Sequence, residues 1–183
     1  MSERPLRADA RRNHERIVAA AAEVFAEAGS SASFEEVARR AGVGSATLYR
    51  RFPTRADLFE AVYADQVDHL LARGDEEPGS PGDALDAWLR RFVEFIIGKR
   101  AFAEEMAHDT ELVFAARARI YGTAEPLLAA AQASGEARQD VTADDVLRML
   151  SGIGLADYPQ PGQLERVIGV CLDGLRPGGA PAP

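Results

Sequence analysis

The chain has a single cysteine, Cys171, in 183 residues, which excludes an intramolecular disulfide framework. Histidine is nearly as scarce. His14, His69 and His108 show no metal-ligand spacing to one another or to Cys171, so no metal is expected. Aromatic residues make up only 7% while alanine is abundant, a balance that favours helix over sheet. No segment alternates as a strand does, and no internal repeat is present. No apolar run is long enough to span a bilayer, and none near the N-terminus resembles a signal peptide. The expectation is a soluble, cytoplasmic protein with no membrane partner. Signatures of catalysis are missing as well. There is no G-x-S-x-G. The run GVGSAT lacks the last glycine of a dinucleotide loop and follows a helical pattern rather than a strand. Neither an enzyme nor a cofactor is expected.

What is present is unevenly distributed. Hydrophobic residues make up 46%, enough to bury a core. The formal net charge is -8, yet residues 1–60 hold ten basic and nine acidic residues against eleven and twenty in the remainder. This asymmetry suggests two modules with different partners. Within Ser33–Arg55 lie Arg39, Arg40, Arg50, Arg51 and Arg55, and no acidic residue stands between Glu36 and Asp57. A basic island in an acidic chain is the electrostatic footprint of a nucleic-acid contact.

The periodicity predicts an all-α protein of eight or nine helices. Residues 1–8 read as a mobile polar arm, followed by a first helix over 9–28 that Gly29 ends. Ser33 opens a second helix with a Ser-Phe-Glu-Glu capping box. Gly42 breaks it, and a third helix runs from Ser45 to Phe52 with Leu48 and Phe52 inward. Thr54, with Asp57 three residues on, caps a long fourth helix. GDEEPGSPG is the clearest loop; Ser80-Pro81-Gly82-Asp83 then restarts a helix that runs to about Arg100. Further helices follow over 102–109, 112–134 (with a kink at Pro126), 143–156 behind a Thr142 cap, and 162–175. Residues 177–183 read as a disordered tail.

The pair 33–52 has what a helix–turn–helix needs: a tight glycine turn, and a second helix with a short polar and basic outer face that fits the major groove. Its letters carry more. Ala41, Gly42, Val43, Gly44, Ser45, Ala46, Thr47, Leu48, Tyr49, Arg50, Arg51 and Phe52, then Arg55 and Leu58, closely resemble the DNA-binding signature of the tetracycline-repressor (TetR) family. Arg16-Ile17, Ala20-Ala21, Phe25, Gly29 and Phe34–Val37–Ala38 are similar to that family's first two helices. QASGEARQDVTADDVLRML resembles an actinobacterial branch of it. Two departures stand out: Gly44, an acceptable cap, replaces a usual Ser, and Ala46 replaces a usual Gly at a position where an added methyl is expected to alter base preference.

The resemblance implies an N-terminal three-helix bundle at 1–56, joined through the fourth helix to a larger ligand-binding and dimerisation domain at 57–176. By position, Ser45, Ala46, Thr47 and Tyr49 would read bases, and Arg50, Arg51 and Arg55 would hold phosphates. Ser33 and Gly44 would meet the backbone, and Arg7, Arg11 and Arg12 would reach an adjacent groove. It implies a homodimer on a palindromic double-stranded operator, repressing until a small-molecule effector binds. Trp88, Phe92, Phe95, Phe102, Met106, His108, Phe114, Tyr121 and Met149 are the implied effector residues. Leu147, Leu150, Ile153, Leu164, Ile168, Cys171 and Leu172 are the implied dimer surface, with Gly152 and Gly154 permitting close helix approach. From its place on an apolar stripe, Cys171 reads as a buried, inert thiol. A helical small-molecule-binding protein with a non-functional DNA motif is the competing reading, which the steep salt dependence of specific DNA binding would separate.

Overall fold

The computed structural model describes residues 4–72, 79–100 and 111–178. Among the described residues there are eight α-helices and no strand: α1 (Arg4–Ala28), α2 (Phe34–Ala41), α3 (Ser45–Arg51), α4 (Arg55–Leu71), α5 (Pro81–Arg100), α6 (Glu111–Ala133), α7 (Ala143–Leu155) and α8 (Gln163–Asp173). A 3-10 turn, Gly29–Ser31, follows α1. The helix expected at 102–109 lies outside the described residues, as do Phe102, Met106, His108 and tail residues 179–183. The expected all-α class is observed. One boundary is corrected: α1 begins at Arg4, so residues 4–8 continue the helix instead of forming an arm. Pro5 stands in its first turn, where a missing N–H costs no helical hydrogen bond.

The chain forms two compact units: residues 1–66 with 98–112, and residues 67–97 with 113–183. In the first unit, α2 and α3 span only eight and seven residues. Helices this short do not persist alone and depend on tertiary packing. Ile17, Ala21, Val24 and Phe25 of α1 meet Phe34, Val37 and Ala41 of α2, Leu48 of α3, and Leu58, Phe59 and Val62 of α4 in one core. Thr54 and Asp57 exchange bonds at the start of α4: the Thr54 N–H donates to Asp57 Oδ2 at 2.8 Å, and the Asp57 N–H to Thr54 Oγ1 at 3.1 Å. At Ser33 only half of the expected box forms. Its hydroxyl accepts from the Glu36 N–H at 3.2 Å, but the Glu36 carboxylate turns to Arg39 and Arg40. Charged partners outcompete a backbone amide for a carboxylate.

In the second unit, α5 buries Leu85, Trp88, Leu89, Phe92, Val93 and Ile96. Pro126 sits inside a continuous α6. The carbonyl it leaves without a donor belongs to Gly122, which is exposed to water. Thr142 and Asp145 form the full capping box of α7. Gly154 permits a close approach, but within the chain: a Cβ there would lie 2.7 Å from Ile96 Cγ2 of α5. Gly152 faces open space.

The apolar stripes of α7 and α8 also turn out differently from expectation. Leu147, Leu150, Ile168, Cys171 and Leu172 are buried in their own chain, and Ile153 and Leu164 are half-buried. An apolar face packs first on the nearest core, and here that core is intramolecular. What remains on the outside is Met149, Leu155 and Val170, the last 74% exposed. Burial pushes the Cys171 thiol up, which leaves it inert at neutral pH.

Candidate nucleic-acid interface

The turn between α2 and α3 is made by Gly42, Val43 and Gly44. Gly42 adopts φ 62, a left-handed conformation that ends α2, and its N–H donates to Arg39 O at 3.2 Å. A Cβ at this position would lie 2.6 Å from Nη2 of Arg16. That nitrogen donates to Ala41 O at 2.5 Å and Gly42 O at 3.2 Å, so an α1 arginine satisfies the open carbonyls of the turn. Gly42 is therefore required by its backbone angle, and a side chain there would also push the Arg16 guanidinium off the turn carbonyls. Gly44 caps α3 from extended backbone and has open space where a Cβ would stand.

In α3 only Leu48 is fully buried, and Thr47 is half-buried. Ser45, Ala46, Tyr49, Arg50 and Arg51 are exposed, so of the expected base-reading set only Thr47 is partly covered. Tyr49 is held there by its ring against Phe34 at 5.1 Å. Ser33, the α2 cap, is exposed as well. The Ala46 methyl faces solvent rather than the preceding turn.

The basic island is less free than its letters suggest. Arg40 bonds Glu27 of α1 through both terminal nitrogens, at 2.7 and 2.9 Å, and Glu36 at 3.1 Å. Arg39 grips Glu36 at 2.6 and 2.8 Å. The hydrogen bond from Arg39, helped by Arg40, holds the Glu36 carboxyl down to about 2. Arg51 Nε donates to Nδ1 of His14 at 3.4 Å, and the His14 ring lies 5.5 Å from Phe52. Arg11 and Arg12, expected to reach DNA from the arm, sit in α1 and pair with Glu15 and Asp9. Arg55 is half-buried and turned inward, donating to the carbonyls of Ala32 and Gly29. Its expected place among outward phosphate contacts is corrected accordingly. Arg50, by contrast, is exposed and makes no hydrogen bond or ion pair among the described residues. Sequence reasoning missed the part played by Arg16, Glu27 and Arg40 in sewing α1 to the turn. Only charge complementarity between helices hinted at it, because these partners stand 13 to 26 residues apart.

Residues 17–62 match the family model described as bacterial regulatory proteins, tetR family, and residues 80–177 match that of the transcriptional regulator SbtR-like C-terminal domain. The chain belongs to the TetR family. A TetR transcriptional regulator from Streptomyces coelicolor is 40% identical, with a TM-score of 0.76 over 90% of this chain and 99% of that one. A TetR regulatory protein from Mycobacterium vanbaalenii is 35% identical, with a TM-score of 0.73 over 94% and 99% of the two chains. Among curated proteins, the HTH-type transcriptional activator FasR of Mycolicibacterium smegmatis is 32% identical over 96 residues, which make up 52% of this chain. The match spans 41% of that relative's length. These relatives agree with the actinobacterial resemblance. This TetR-family protein is thus a DNA-binding transcriptional regulator of the helix–turn–helix type. Among its described residues no helix is long and apolar enough to cross a membrane.

The described effector residues expected of such a regulator fall in different environments. Trp88, Phe92 and Phe95 are buried on α5, with Trp88 and Phe92 stacked at 5.7 Å. Trp88 Nε1 is buried with no acceptor among the described residues. Tyr121 is committed to a polar cluster: its hydroxyl donates to Asp144 at 2.5 Å, Arg148 holds the same carboxylate at 2.6 Å, and Arg117 lies over the ring at 5.3 Å. Burial first, then the Asp144 bond, push the Tyr121 phenol up. Phe114 and Met149 are exposed. An apolar void lined by Leu85, Leu89, Ala124, Leu128 and Val146 holds only about 10 Å³ and is too small for an effector. An open groove of about 450 Å³ runs between Asp83, Asp86, Glu136, Leu175 and Arg176. None of the expected effector residues among those described lines either.

Proposed function

We propose that this TetR-family regulator works as a homodimeric, ligand-responsive repressor that reads a palindromic operator through α3. The observation that carries the reading is the outer face of α3. It joins small uncharged groups, Ser45, Ala46 and Thr47, to a ring-braced Tyr49 and an unpaired Arg50. Base edges specify and phosphates position. Ser45, Ala46, Thr47 and Tyr49 are assigned to the first task, and Arg50 and Arg51 to the second, with Ser33 and Gly44 at the backbone. Residues 1–56 supply this surface, and residues 57–176 supply pairing and sensing.

Pairing is required because two recognition helices must sit one DNA turn, about 34–36 Å, apart. The apolar residues left outside on α7 and α8, Met149, Leu155 and Val170, with half-buried Ile153 and Leu164, support a two-fold contact there. The unpaired Trp88 N–H supports an effector site beside α5, since a buried donor without an acceptor is costly. An effector that favours one spacing of the two α3 helices over another shifts the population between bound and free states.

The test is selection of bound duplexes from random sequence by the full chain, followed by binding across a salt series. Wild type is expected to select a two-fold symmetric site. Arg50→Gln should flatten the log–log salt slope by about 1. Tyr49→Ala should lose the selected site while keeping its helical spectrum. A chain that selects nothing overturns the assignment of α3. A reporter driven by the selected site decides the sign: repression predicts higher expression when the regulator is absent.

A further inference from the structure

Arg55 opens α4 at the position where the family signature carries a basic residue, and its surroundings point away from DNA. Its guanidinium donates to Ala32 O and, at 3.3 Å, to Gly29 O. Both carbonyls belong to the connection between α1 and α2, and Gly29 takes φ 52 within it. The same group lies over two rings, 5.6 Å from the centre of Phe25 and 5.0 Å from that of Phe59. Those rings are stacked at 4.2 Å with 15° between their planes. Arg55 thus joins α1, the α1–α2 connection and α4 at one point.

We infer that Arg55 is a positioning residue for DNA recognition and not a phosphate ligand: it latches the α1–α2 connection to the start of α4 and so fixes the frame that presents α3. The geometry asks for arginine specifically. A planar guanidinium can serve two carbonyls while lying flat on aromatic faces; an ammonium is a point charge and cannot do both. Ala32, which accepts one bond, is buried and directly precedes the Ser33 cap of α2. Helix α3 is strung between α2 and α4, so the latch sets the register of both flanks. A guanidinium reaching for a phosphate would have to leave both carbonyls and both rings. The inference rests on α3 being the reading helix.

The experiment uses full-length wild type, Arg55→Lys, Arg55→Gln and Arg50→Gln. Each is titrated across a salt series with the duplex selected by wild type and with a scrambled duplex of equal length. A positioning role predicts that both Arg55 variants lose about tenfold in affinity for the selected duplex and far less for the scrambled one. It also predicts a wild-type salt slope in both, so that lysine does not rescue. A slope shallower by about 1 in Arg55→Gln, restored together with affinity by Arg55→Lys, overturns the inference. Wild-type behaviour in both variants overturns it equally. Failure of the underlying reading looks different, because Arg50→Gln would then also leave the slope unchanged and wild type would not discriminate the duplexes. Should either Arg55 variant fail to fold, the wild-type chain gives the second measurement. The Arg55 Nε–H resonance should stay in place on adding the selected duplex while that of Arg50 moves; a shift of Arg55 comparable to Arg50 overturns the latch.

Discussion

Helices α2 and α3 and helices α7 and α8 are both short pairs, yet they show their function by opposite means. In α3 a single residue, Leu48, is fully buried and the outer face is polar. In α8 the inner face is satisfied by Ile168, Cys171 and Leu172, and the outer face still carries Val170 at 74% exposure. The first pair is seated by a small core and by arginines that bond carbonyls and carboxylates. The second is seated chiefly by apolar burial, with Tyr121 of α6 bonding Asp144 of α7 beside it. The contrast teaches that a helix's partner is read from what the helix leaves uncovered once its own chain has been served. For α3 the uncovered groups suit base edges and phosphates. On α7 and α8 they suit another apolar surface.

Leu48→Ala strikes the first pair where it is thinnest. Removing the one fully buried side chain of α3 should destabilise the first unit by about 2–5 kcal/mol, measured by denaturant unfolding. A loss no larger than that of an exposed substitution would mean α3 is not seated by its core. Val170→Glu probes the second pair. The side chain is exposed, so subunit stability should change by no more than about 0.5 kcal/mol. Sedimentation should nevertheless show loss of the dimer; a variant that stays dimeric places the pairing surface elsewhere. Leu172→Glu makes the control, because that residue is buried in its own chain and its substitution should unfold the subunit.

The smallest effect concerns His14. Burial, then the nearby Arg51, hold its imidazole below the ordinary 6.5, with Asp65 and Glu15 pulling weakly the other way. The folded state thus binds the proton less readily than the unfolded one. Stability from neutral His14 is complete above the unfolded value and is lost as pH falls through the lower folded one. The midpoint of thermal unfolding should decline on going from about pH 7 to about pH 5, and His14→Gln should flatten that decline. Parallel curves for the two proteins would remove His14 from the packing of the first unit.

Much of this was legible from the letters. The helices of the first unit were, because Gly42, Leu48 and Thr54 have local reasons to stand where they do. The outer face of α3 was legible too, since a seven-residue helix with one inward leucine has few ways to turn. Arg55 was not. Its carbonyl partners lie 23 and 26 residues back, and a guanidinium turned onto rings reads the same as one turned to solvent. The stripe over 164–175 misled for a related reason. Spacing of three and four reveals that a face is apolar but not whose surface covers it. Val170 was overlooked because it stands off the stripe's centre, and the core claimed that centre.

Among the described residues, the buried core cluster of the first unit runs from Ile17 to Val62. Its contacts are near one another along the chain, so little loop entropy is spent in closing it. Low contact order makes such bundles fold quickly. During synthesis, these core residues have been translated before the greater part of the second unit exists. The DNA-reading surface is therefore expected to form first on the ribosome, as a nascent core of α1 to α4.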